Sequence, residues 1–256
     1  MREGAQCLTE LSVTMTTSIQ SANSCRYDQI CAEAVQVLDP LKADARLAAL
    51  PLMNQDGDVS RLVEELKAIC PSLEQVESFR PVECLAVMRD LGMFLGSIKR
   101  HGVEPLGEFP EIESILERLG RRTDMIPRDT VQHYISWNPT GTRERNYTLN
   151  PMESKLMGAV RISMPALGRA IEGLHVIRKL DLLDPELVFQ VWGLADQLKV
   201  LEEAMHIVLR EVSPRFFAQD MRHYFVDIEV GGGSYLGPAA AHAPVALVDL
   251  GLWVFD

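Results

Sequence analysis

Between Ser213 and His242 the chain reads SPRFFAQDMRHYFVDIEVGGGSYLGPAAAH, and here side chains able to do chemistry are concentrated. Arg222 carries a permanent cation in a planar fork, a shape that matches a carboxylate. Phe217, Met221 and Tyr224 recur at helical spacing, the pattern of a short helix that also carries Arg222. The bland alternative for Arg222 is an ion pair with Asp220, Asp227 or Glu229. Gly231, Gly232 and Gly233 permit backbone angles closed to other residues, so they read either as a turn or as backbone approaching a ligand. No Lys-Ser or Lys-Thr follows them, which argues against a phosphate loop. Ser163 is the remaining candidate. It interrupts an otherwise apolar stripe (Leu156, Val160, Leu167, Ile171, Leu174, Ile177) two residues before Pro165. Its hydroxyl either bonds back to a carbonyl of the preceding turn or faces a buried ligand at a proline kink.

The elements that must position these residues are helical. Pro214 opens a short helix to Tyr224, Val226 to Val230 alternates as an extended segment, and Ala239 to Leu252 reads as a largely buried helix. Upstream, Asn150 and Pro151 start the long helix carrying Ser163, and Asp184 and Pro185 start another. The latter has Val188, Trp192, Ala195, Leu198, Leu201, Met205 and Val208 on one face, with Trp192 expected in the core and His206 beside the stripe, partly exposed. In the first half the pattern predicts helices over Tyr27–Leu38, Pro40–Leu50, Val59–Ile69, and from Pro81 to a cationic end at Lys99, Arg100 and His101. His101 is read as a cap. Further helices follow at Ile112–Leu119, stopped by Gly120, and at Pro127–Trp137. Asn54 to Asp58 reads as a solvated turn and Gly141 to Asn146 as a charged linker. The organisation expected is a disordered segment 1–25, a helical part 26–140, and a core bundle part 147–256.

With 256 residues, 47% apolar and 24% charged, the chain is long enough for one sizeable core. A formal charge of −11 works against nucleic acid and anionic membrane surfaces as partners. Five cysteines without a C-x-x-C pair fit a reducing, cytoplasmic setting. No signal peptide or membrane span is read from the sequence. No Glu-x-x-His pair occupies the expected helices, which weakens a carboxylate-bridged metal bundle. No metal ligand is assigned.

Four segments together carry a family resemblance: MRDLGMFLGSIKRHG (Met88–Gly102), WNPT (Trp137–Thr140), VRISM (Val160–Met164) and FFAQDMRHYFVDIEVGGGSYLGP. In this order they resemble the monodechloroaminopyrrolnitrin synthase family, a branch of the heme-dependent tryptophan and indoleamine dioxygenase superfamily. The resemblance runs collinearly from about Leu38 to Trp253. It implies an all-α, heme-dioxygenase-like bundle with a short extended Gly-rich segment, heme b as cofactor, and a tryptophan-like substrate rearranged to an aminophenylpyrrole. A heme-free, partner-binding scaffold is the alternative, and a homo-oligomer is compatible with either. The resemblance places Phe217 and Arg222 in the indole pocket, Ser163 at a small distal position, and Gly231, Gly232 and Gly233 near heme or substrate. The family's axial histidine comes from a helix beyond the point aligned with Trp253. None of His101, His133, His175, His206, His223 or His242 matches that motif. The chain is therefore expected to lack a C-terminal part, and to leave an apolar face bare near Ala246 to Phe255.

Overall fold

The computed structural model describes residues 32–238 and 242–253, with 242 and 243 by backbone alone. Among the described residues it is predominantly helical, as the sequence pattern predicts, and the expected extended segment gains a second strand to form a two-stranded hairpin. Expectations for 1–25, for the start of Tyr27–Leu38 and for the tail after Trp253 lie outside the described residues.

The first half wraps around one buried helix. α1 (Asp44–Asp56), α2 (Val59–Ile69) and α3 (Leu73–Ser78) lead into α4 (Pro81–Arg100), and α5 (Ile112–Thr123) packs against it. α2 has the predicted bounds because its signals are local: the Asp58 carboxylate accepts from the Arg61 N–H at 3.1 Å, and Pro71 follows its end. α4 likewise starts at Pro81 and is capped by His101, whose N–H donates to the Ile98 carbonyl at 3.1 Å while the Gly102 N–H donates to that of Lys99.

Several boundaries differ from the sequence reading, each for a physical reason. The helix expected over Pro40–Leu50 instead spans Asp44–Asp56 and runs through the buried Pro51. The expected turn therefore shrinks to its end, at Gly57, in the left-handed region at φ 67°. Gly120 does not stop α5. A Cβ there would lie 2.9 Å from the Met125 carbonyl oxygen, so its lack of side chain serves close packing, and the helix ends at Asp124 in the left-handed region. Pro127 to Trp137 is not a helix but a loop followed by a single π turn, Gln132–Ser136. The stretch read as a charged linker is pinned: Arg143 pairs with Asp44 at 2.7 Å, and Arg145, 2% exposed, bonds Asp44 and Asp90.

In the second half, α6 (Met152–Ile177) and α7 (Pro185–Glu211) form a helical hairpin. The side chain of Arg169 donates to that of Gln197 across it at 2.7 Å. Asn150 caps α6 one position earlier than a standard cap, accepting from the Met152 N–H, and Asp184 accepts from Glu186 N–H as predicted. α8 (His242–Trp253) lies on α6, where Gly251 approaches Leu174. The expected core side of α7 is not covered. Trp192 and Met205 are each 65% exposed, because among the described residues α6 is the main element packed against this helix. α8 is also not largely buried: Val248 is buried, whereas Leu247, Leu250 and Trp253 are exposed, which agrees with the expected bare face near Ala246.

Candidate functional site

The run after α7 changes its helical pitch twice. Ser213 accepts from the Phe216 N–H at 3.1 Å and Pro214 opens a single α turn, Pro214–Phe216. Phe217–Met221 is then π-helical and Arg222–Phe225 is 3-10. A π turn accommodates one residue more than an α turn and rotates the side chains that follow, a feature that occurs often at functional sites. Here it separates neighbours: Phe216, Met221, Tyr224 and Phe225 are buried, whereas Phe217 and Arg222 face outward. Arg222 has no ion pair or hydrogen bond among the described residues, so the expected alternative partners Asp220, Asp227 and Glu229 do not hold it.

An aromatic stack fixes this run from inside. Tyr224 lies on Tyr147 with ring centres 4.3 Å apart, and Phe225 meets Tyr134 edge-on at 5.4 Å. Arg100 covers Tyr224 at 5.5 Å. Beneath the stack, Glu153 is fully buried and accepts four hydrogen bonds, each 2.7 Å long, from the hydroxyls of Tyr134 and Thr148 and the N–H groups of Tyr147 and Thr148. Burial nevertheless raises its carboxyl to about 7. Burial also pushes Tyr224 up to about 12, against the pull of Arg100.

The glycine triplet is the tip of the hairpin. β1 (Ile228–Val230) pairs antiparallel with β2 (Gly233–Tyr235), and Gly231 and Gly232, at φ 58° and 74°, form the two-residue turn. The Gly231 N–H donates to Glu113 at 2.7 Å, and Glu117 also lies against Gly231. Two carboxylates at the tip repel an anionic group. Arg128 secures the hairpin base, donating from Nη1 to the carbonyls of Val226 and Tyr235, both at 2.7 Å. Ser163, half-buried in α6, donates to the Val160 carbonyl at 3.0 Å, the back-bonding arrangement. Phe217 and Arg222 thus share one helical run, the glycines sit over α5, and Ser163 sits on α6.

Whether the described residues could hold a heme rests on their imidazoles. His133 is buried, its Nδ1 accepts from the Thr130 N–H, and burial lowers it to about 3, so it stays a neutral core residue against Trp137. His101 caps α4, while His206 and His223 are exposed. His175 borders an apolar groove of about 280 Å³ between α6 and α8, with Leu174, Leu247 and Leu250 as walls. The groove is open to solvent, and His175 is exposed at its rim. The described residues therefore offer apolar walls for such a group but no enclosed axial donor.

The sequence reading missed Glu153, Tyr134 and Tyr147, and also the buried charges of the family-like segments. Within MRDLGMF, Arg89 donates to Asp90 and to the carbonyls of Val35, Leu38 and Trp137; Asp90 in turn accepts from Arg145. Within WNPT, Asn138 exchanges hydrogen bonds with the backbone of Arg145, both 2.9 Å. The available signal was an Arg-Asp pair inside an otherwise apolar helix. The family model of monodechloroaminopyrrolnitrin synthase PrnB matches residues 31–256.

Proposed function

Because the chain belongs to the monodechloroaminopyrrolnitrin synthase family, we propose that it acts on tryptophan or a ring-chlorinated tryptophan and rearranges the indole towards an aminophenylpyrrole. The observation that carries the residue assignment is that Arg222 is exposed and has no ion pair among the described residues, beside the outward-facing Phe217. A guanidinium left without a carboxylate partner is available for the amino-acid end of such a substrate, and Phe217 for the face of its indole. Ser163 and the glycine triplet stay in this reading as the distal hydroxyl and the neighbouring backbone. The Ser163 hydroxyl must then leave the Val160 carbonyl, or accept a hydrogen bond while donating to it.

Heme b belongs to the same reading. It would supply the oxygen and electron-transfer chemistry, while the chain orients the substrate and excludes water. The exposed apolar side chains of α7 and α8 fit a surface made to be covered, and no helix among the described residues is long and apolar enough to cross a membrane. The reading is tested by incubating the hemin-treated chain with a ring-chlorinated L-tryptophan under oxygen and following products by mass spectrometry. Conversion that Arg222→Lys reduces supports it. Conversion unaffected by changes at both Phe217 and Arg222 removes these residues from the assignment.

A further inference from the structure

On the other side of the Pro214–Phe225 run, Phe216, Asp220 and Tyr224 border a cleft of about 460 Å³. Its remaining walls come from the end of α1 (Pro51, Asn54, Gln55), from Arg100 at the end of α4, and from residues 147–150. None of Ser163, Phe217, Arg222 or the glycine triplet lines it. We propose that this cleft is a separate ligand site that takes a free α-amino acid in its zwitterionic form.

Three groups in the cleft have ligand-directed chemistry left over. Asn54 is 7% exposed, and its Nδ2 donates to the Ser97 hydroxyl at 3.0 Å and the Tyr147 carbonyl at 2.9 Å. That carbonyl can only accept, which fixes the amide orientation and leaves Oδ1 as a buried acceptor without a partner. A ligand N–H satisfies it. Arg100 has a buried Nε without a partner and makes no ion pair among the described residues, so its cation is available to a carboxylate. Asp220, exposed on the facing run, has no ion pair among the described residues and supplies the counter-charge for an ammonium.

One cation, one anion and one orphaned acceptor around a single cleft select a ligand with both a carboxylate and an ammonium. A simple anion meets Asp220 and the Asn54 carbonyl oxygen; a metal cation meets Arg100. Pro51, Leu149 and Phe216 give the apolar wall against which a side chain can rest. The volume accommodates a large one.

Isothermal titration of the intact chain with L-phenylalanine, 3-phenylpropanoate and 2-phenylethylamine tests the site. The expected result is that L-phenylalanine binds and that each half-ligand binds at least about tenfold more weakly, one charge-assisted contact having been lost. Arg100→Gln should weaken L-phenylalanine at least about tenfold and leave 2-phenylethylamine unchanged. Asp220→Asn should weaken L-phenylalanine and leave 3-phenylpropanoate unchanged; this residue is exposed, so its variant keeps the test readable if Arg100→Gln unfolds. Arg222→Lys should leave all three affinities unaltered. Absence of binding at millimolar L-phenylalanine, equal affinity for all three compounds, or affinity insensitive to Asp220→Asn overturns the proposal. Affinity lost only in Arg222→Lys also overturns it, while leaving the proposed function standing.

Discussion

α4 and α7 are both long helices, of 20 and 27 residues, and they distribute polarity in opposite ways. α4 takes charge inside: Arg89 and Asp90 are 1% and 0% exposed, and each has partners from other parts of the chain. α7 leaves apolar surface outside, with Phe189, Trp192 and Leu209 in solvent and only Leu194 and Ala204 buried. A buried charge persists only where its hydrogen bonds are complete, so α4 marks the part of the molecule whose geometry is fixed. An apolar helix face in water stabilises nothing by itself, so α7 marks a part whose surface serves something other than this fold.

The comparison breaks first at Asp90. Asp90→Ala leaves Arg89 and Arg145 buried without their shared carboxylate, and stability should fall by about 3–5 kcal/mol in urea unfolding. A loss below about 1 kcal/mol would show that water already screens this network. A smaller effect comes from Glu153. Its carboxyl is raised from an ordinary 4.5 to about 7, so the native state holds a proton that the unfolded chain releases. Its contribution is therefore complete below about pH 4.5 and is lost as pH rises through about 7, at up to about 1.4 kcal/mol per pH unit. Unfolding curves for Glu153→Gln between pH 5 and pH 8, on the order of one point per pH unit, should lack that slope. Retention of the slope would assign it to another group.

Gly96 comes next. A Cβ there would stand 2.7 Å from the Tyr147 hydroxyl and 2.9 Å from the Tyr224 carbonyl oxygen, so Gly96→Ala should cost about 1–3 kcal/mol. Melting unchanged by this substitution would mean that the aromatic stack can shift. On α7, Trp192→Ser should change stability by no more than about 0.5 kcal/mol while reducing self-association by light scattering. A large loss of stability there would place Trp192 in a core.

What could be read from the sequence followed the range of the interaction responsible. α2, the start of α4 and the Asp184 cap were legible because cap, breaker and periodicity lie within a few residues of one another. The hairpin was legible as far as its strand and glycines. Glu153 was not, since its role depends on Tyr134 and Tyr147 arriving from outside its helix. Nor was the Arg89 network, whose partners include Val35 and Trp137, about fifty positions away in either direction. The stripe on α7 was real as periodicity, but periodicity reports an amphipathic face and not what covers it. The π turn was also out of reach: Phe217, Met221 and Tyr224 suggested one continuous helical face, and the change of pitch turned Phe217 away from the other two.

The most direct test is to measure L-tryptophan affinity and melting temperature together in the Asp220→Asn background, which weakens the cleft, with and without Arg222→Lys. Lysine keeps the charge and loses the planar fork. If Arg222 belongs to the available surface and holds the substrate carboxylate, affinity per folded molecule should fall by about 1.5–3 kcal/mol with the melting temperature unchanged. A lowered melting temperature with unchanged affinity would assign Arg222 to the fixed part of the molecule and contradict the account.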